Sequence, residues 1–341
     1  MKRVTIQDIA NELGVSRNTV SKAINNGGSL AEATRERVLR KAVEMGYKHF
    51  SYIKTHNGGA AGYGNPEKGE ISLLRGDAAA SAGYIRPMLD RIKKELPRYG
   101  YRLTARQAEP GIPAERALPS AAGPGRTAAF LCVGMFDRAY DEMICSLGLP
   151  VLFVDGPSKR GGADLPADQL YMDSTTPVAR FVSDMLARGR RRIGFIGNWE
   201  HCQSFYERYA AFRCAMLMAD APVDELFCIK TINQEELSAA LTSLTEFPDV
   251  FICANDFVAD DAIYTLRKLG KSIPEDILFC GFDDSPSSRI MTPSLTTVHT
   301  HTQIMAIAAM QLLISRIENP DLNYRVVHTE TELIYRDSTR I

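Results

Sequence analysis

No stretch of this 341-residue chain is apolar over the ~20 residues that span a bilayer; the longest run, Met305 to Ile314, is broken by Gln311. That excludes a membrane helix. The first ten residues, MKRVTIQDIA, reach Asp8 before any apolar block forms, so no export signal is read and a cytoplasmic location is expected. Cysteine occurs seven times without a CxxC pair, mostly inside apolar runs such as AAFLCVG and DVFICA. Those thiols read as reduced and buried, and neither a disulfide framework nor a metal site is expected. Also lacking are GxSxG, HExxH, a P-loop and a GxGxxG after a strand, so no enzyme class is marked and no cofactor is called for. A carboxylate pair alone would suit a glycosidase, but nothing separates an acid from a base. What remains, 45% hydrophobic and 24% charged residues with Gly 25 and Pro 17, is the composition of an ordinary globular chain long enough for two or three domains.

Acidic and basic residues nearly balance at a net −1, yet they are unevenly placed. Residues 1–56 hold ten Lys and Arg against five Asp and Glu, a net +5; the remainder holds thirty against thirty-six, a net −6. A basic head on an acidic body fits contact with a polyanion, or else a solvated helical face.

Within the head, Ile6, Ile9, Ala10 and Leu13 make one amphipathic stripe, opened by Thr5 with Asp8 three residues on and stopped by Gly14. Ser16 caps a second helix, Arg17 to Asn25, that buries Val20, Ala23 and Ile24; a third runs from Glu32 or Thr34 to Met45. Two short helices across a Gly-containing turn make a helix-turn-helix, whose second helix enters the major groove with its first residues at the base edges. Arg17 suits a guanine edge and Asn18 an adenine edge, and Lys22 lies one turn further on. Thr5, Gln7, Ser16, Ser21, Asn25 and Thr34 are short polar groups near helix starts, suited to phosphate oxygens or simply to capping.

The run VTIQDIANELGVSRNTVSKAINN, followed by TRERVLRKAVEMGY, resembles the head of the lac repressor family of bacterial transcription regulators. The resemblance places Arg17, Asn18 and Lys22 at base-reading positions, and its head motif is matched by Thr5, Ser16, Thr19, Val20, Ser21 and Asn25. It also implies a hinge helix, introduced by Pro-Asn and carrying a Leu, that wedges into the minor groove. Here Lys48-His49 stand at the Pro-Asn position and His56 at the Leu, with Tyr52 or Ile53 as substitute wedges. Residues 51–69, rich in Gly and polar groups, read by themselves as a flexible linker.

From Glu70 onward, β-branched or aromatic runs (ISLL, YRLTA, AAFLCV, VLFVD, RIGFIG, LFCIK, VFICA, ILFCGF) alternate with helical stripes. That pattern predicts buried parallel sheet with helices on both faces, in two lobes parted by a loop near residues 156–170. AEPGIPAERALPSAAGPG, with four prolines, is expected to break its crossover helix. Ligands of such sheets collect at the carboxyl ends of strands, where Asp155, Asn255 and Asp283 stand. FVD, AND, GFDD, SLTTV and LIYRDST resemble the family's body, and ERYAAF its effector-binding segment, here with Arg208. Together they imply a fold like the periplasmic sugar-binding proteins. A guanidinium, an amide and a carboxylate suit the paired hydroxyls of a carbohydrate, although Asp283 and Asp284 also read as turn formers. Trp199, Tyr84 and Phe136 are candidate plates for a sugar face, or core and rim aromatics.

The expected architecture is therefore a small all-α helix-turn-helix head (1–50), a linker (51–69) and an α/β two-lobed effector-binding and dimerisation body (70–341). The expected function is a transcription regulator binding double-stranded operator DNA as a homodimer, under control of a small-molecule effector, with a carbohydrate leading.

Overall fold

The computed structural model describes residues 5–25, 30–45, 68–76, 85–107, 127–158 and 164–340. Tyr84, most of the linker and the proline-rich segment lie outside them.

Helices α1 (Ile6–Leu13), α2 (Arg17–Asn25) and α3 (Glu32–Glu44) form the head. Thr5 caps α1 in a reciprocal box: its Oγ1 accepts from the Asp8 amide at 3.3 Å, and its own amide donates to Asp8 Oδ2 at 2.8 Å. Gly14 ends α1 at φ 64°, a left-handed conformation that glycine adopts without strain. Ile9, Ala10, Val20, Ala23, Ile24, Val38, Leu39 and Ala42 form the head's core, which Ile304 and Ile307 of the body help to cover.

The body begins with β1 (Gly69–Arg75), α4 (Ile85–Glu95), β2 (Tyr101–Gln107), β3 (Thr127–Val133), α5 (Arg138–Ser146), β4 (Val151–Val154) and β5 (Asp168–Met172). The second lobe holds α6 (Thr175–Ala187), β6 (Ile193–Ile196), α7 (Gln203–Met218), β7 (Cys228–Ile229), α8 (Gln234–Ser243), β8 (Val250–Cys253), α9 (Asp256–Lys268), β9 (Leu278–Cys280) and α10 (Pro286–Ile290). The chain closes with β10 (Thr297–Thr300), α11 (Thr302–Glu318), β11 (Val326–Thr329) and β12 (Thr331–Ile334).

The described strands of the first lobe form a parallel sheet in the order β11-β5-β4-β3-β1-β2, and those of the second a parallel sheet β7-β6-β8-β9. Both are apolar on two faces because helices cover both. In the second lobe, Phe181, Phe205 and Phe212 pack on one side and Leu237, Leu241 and Ile263 on the other.

Two expectations need correction. The lobes are not parted by one loop near 156–170, since β5 lies in that sequence neighbourhood and β11 joins the first sheet from the far end of the chain. The chain passes between lobes after β5, before α11 and between β11 and β12. DQLYM was obscured as a strand by its polar first residues. Asp168 is nonetheless buried, because Arg316 Nη2 and Arg325 Nη2 each donate to it at 3.0 Å from beyond α11's midpoint and from the turn before β11. The second correction concerns cysteine: all seven are free thiols and most are shielded, but Cys214 on α7 is exposed.

Candidate nucleic-acid interface and effector cleft

On α2, Arg17, Asn18 and Lys22 are exposed while Val20, Ala23 and Ile24 are buried. The helix therefore offers its polar first turn to solvent. Asn18 and Lys22, four residues apart, share a face. Ser16 Oγ accepts from the Thr19 amide at 3.0 Å, which caps α2 and holds its free amides at the same end as Arg17. Of the candidate phosphate groups, Thr5 and Ser16 are exposed and already engaged as caps. Gln7 is exposed and donates to Asn11 at 2.9 Å, and Ser21 and Thr34 are half-buried. The Asn25 side chain lies outside the description.

The second constellation is built from strand ends. Asp155 follows β4, Asn255 follows β8 and Asp283 follows β9, while α7 brings Ser204 and Arg208 on one face, four residues apart. Asp155 (φ 53°), Asp283 (φ 104°) and Asp284 (φ 50°) all adopt left-handed backbone conformations, a strain of order 1–3 kcal/mol at a non-glycine residue that is commonly found where function requires it. The Asn255 Oδ1 accepts from the Val258 amide at 3.0 Å and so caps α9, leaving its amide nitrogen for another acceptor.

Arg208 is 2% exposed. Its guanidinium lies 3.5 Å from the centroid of Phe282 and donates to the Ala254 carbonyl, yet Nε makes no hydrogen bond. Its Nη2 is 3.7 Å from Asp283 Oδ1, too far for a hydrogen bond, and that oxygen also accepts none. Burial pushes the Asp283 carboxyl up to about 8; the Arg208 charge opposes this, and Asp256 and Asp155 add to it. A buried donor and a buried acceptor left unsatisfied on two neighbouring side chains are what a polar ligand can satisfy. Ser204 donates to Asp155 Oδ1 at 2.5 Å across the lobes.

The neighbouring carboxylates are tied into the frame. Asp284 accepts from Arg289, Arg336 and His299, which hold its carboxyl far below the usual range despite burial. Asp256 accepts from Thr297 Oγ1 and from the Ser285 amide; burial nevertheless raises it to about 6.

The aromatic candidates separate. Phe136 meets His201 edge to face, with centroids 4.8 Å apart, beside Asp155, whose charge acts on that imidazole; burial lowers the pKa of His201. The Trp199 ring lies flat on Tyr209, the residue after Arg208 on α7, at 4.1 Å, with the Lys230 ammonium 5.7 Å from its centroid. Ser204, His201, Phe205 and Phe282 were missed by sequence reasoning. For Ser204 the spacing of four from Arg208 was the available signal.

The head residues 5–49 match the model described as bacterial regulatory proteins, lacI family, and residues 182–339 match the periplasmic binding protein-like domain. The chain belongs to the lacI family of bacterial regulatory proteins. It is 27% identical to the transcriptional regulator GalR of Lacticaseibacillus casei, across 98% of this chain and 99% of that one. It is 25% identical to the regulator CelR of Thermobifida fusca, across 99% and 98%. A solved complex of the regulator CelR with cellobiose superposes with a TM-score of 0.69 at 24% identity, covering 98% of this chain and all of that one. This lacI-family chain thus pairs a helix-turn-helix head with an effector-binding body.

Proposed function

We propose that this regulator reads a pseudo-palindromic operator as a homodimer, through Arg17, Asn18 and Lys22 at base edges and Thr5, Gln7, Ser16, Ser21, Asn25 and Thr34 at phosphates. Its operator affinity is set by an uncharged polyhydroxy effector, a carbohydrate, held by Arg208, Asn255, Asp283 and Asp155 with Phe136 against a sugar face. The observation that carries the effector reading is the unsatisfied, buried pair of Arg208 Nε and Asp283 Oδ1. Carboxyl groups at 155 and 283 beside the Arg208 guanidinium present both acceptors and donors and suit hydroxyls, which themselves both donate and accept. The cellobiose in the solved relative supports the same class. Dimerisation is supported by exposed apolar residues on adjoining helices: Phe257 and Tyr264 on α9, and Ile290, 83% exposed, at the end of α10. Beside them a groove of about 740 Å³ between α8 and α9 is lined by Gln234, Ser238, Tyr264 and Lys268. The domain limits remain 1–50, 51–69 and 70–341, and the protein acts in the cytoplasm without catalysing a reaction.

A thermal-shift screen of sugars, including cellobiose, and of nucleosides tests the reading. A true effector at 100 times its Kd stabilises by ~2.7 kcal/mol, and Arg208→Ala is expected to remove that shift while leaving operator binding without ligand intact. A nucleoside hit with no response from any sugar would overturn the carbohydrate assignment.

A further inference from the structure

The first two turns of α7 carry two adjacent stripes. Ser204 and Arg208 face the cleft. Gln203 and Glu207, each one position earlier and likewise four apart, meet the first lobe instead. The Gln203 amide approaches the Gly156 carbonyl at 3.5 Å, just after β4, and its side-chain Nε2 donates to Glu207 Oε1 at 3.1 Å. The same Glu207 oxygen lies 3.3 Å from Nε2 of His328 on β11, and the His328 ring stacks on Tyr171 of β5, centroids 5.5 Å apart at 30°. Tyr171 is in turn held by its hydroxyl, which donates to Gln169 at 2.9 Å. Glu207 is 84% shielded from solvent and its Oε2 makes no hydrogen bond. A carboxylate in that position is well placed only while the lobes are together, because its two donors come from opposite lobes.

We propose that Gln203, Glu207 and His328 form an interlobe latch, distinct from the effector ligands, that sets how far the lobes close when no effector is bound. This rests on the reading of Arg208 as an effector ligand, since both stripes share one rigid helix: any effector that pulls Arg208 also moves Glu207. An effector binds a closed body, and its apparent affinity rises in proportion to the fraction closed beforehand. The latch raises that fraction. It is therefore a positioning device for effector affinity, acting through the lobes and not by touching the ligand.

The experiment is hydrogen exchange and small-angle scattering on the full-length protein without ligand, so that it does not depend on knowing the effector. Glu207→Ala and His328→Ala are each expected to speed exchange in peptides spanning 203–208 and 326–329 about tenfold, the size of one lost net hydrogen bond, and to increase the radius of gyration. The double variant should match either single one, since both break the same contact. Glu207→Gln, which keeps an oxygen acceptor, should stay near the parent, whereas Glu235→Ala on the exposed face of α8 should do nothing. Exchange and scattering that are unchanged in Glu207→Ala and His328→Ala would overturn the latch, as would additive effects in the double variant. Arg208→Ala serves to separate the two readings. It should leave exchange at 326–329 unaltered even if it abolishes every sugar-dependent shift, and a gain there equal to that of Glu207→Ala would transfer the closing role to Arg208 and sink the proposal.

Discussion

The surface proposed to meet DNA and the cleft proposed to hold effector are built from opposite materials. Arg17, Asn18 and Lys22 lie within six consecutive residues of one helix and point to solvent, whereas Asp155, Asn255 and Asp283 follow three different strands and Ser204 and Arg208 come from α7, most of the five buried. On α2, recognition and stability are separable, because an exposed side chain can be removed without disturbing Val20, Ala23 or Ile24. In the cleft they are entangled. Each group there is held by neighbours, and the difference between a ligand and a strut is only whether its hydrogen bonds are already made. Asp283 and Asp284 show this side by side: the second has three donors, and Oδ1 of the first has none.

The contrast breaks most visibly at that pair. Asp284→Ala leaves Arg336 and His299 half-buried without their carboxylate and should cost ~3–5 kcal/mol in urea unfolding, whereas Asp283→Asn should cost little. Equal losses would mean that both aspartates are struts. The pH dependence sharpens the same point. A carboxyl raised to about 8 in the fold, against about 4 unfolded, binds its proton more tightly when native, so its contribution is present at low pH and lost as pH rises from about 4 to 8. Asp256, raised to about 6, and Asp141, raised to about 7, act in the same sense. Melting temperature should fall across that window, and Asp283→Asn should flatten its upper part; an unchanged slope would show that Asp283 is already ionised beside Arg208.

On the head the expected effects are smaller and fall on function. Arg17→Ala should lose ~1–3 kcal/mol per half-site against the preferred operator and relax one base preference, with Ser21→Ala weakening all sequences alike. Selection from a random DNA library reads both, and an unchanged motif for Arg17→Ala would remove it from base reading. Thr5→Ala should cost the least, ~1 kcal/mol of head stability, measured by thermal unfolding. A larger loss of operator affinity than that explains would give Thr5 a phosphate contact in addition to its cap.

Local chemistry made the head legible. Its helix starts are written as Thr5 with Asp8 and Ser16 with Thr19, contacts within three residues, so nothing distant was needed to place Arg17 at the start of α2. The apolar strands of the body were legible for the same reason, and with them the positions of Asp155, Asn255 and Asp283 just past strand ends. Tertiary structure decided the rest. β5 became a buried strand because Arg316 and Arg325 neutralise Asp168 from about 150 residues away, a pairing no window of sequence contains. Trp199 was drawn onto Tyr209 by packing. Arg208 Nε and Asp283 Oδ1 were left without hydrogen bonds, while Asp284, one residue on, is held by Arg289, Arg336 and His299, and only the assembled fold separates that structural aspartate from a candidate ligand.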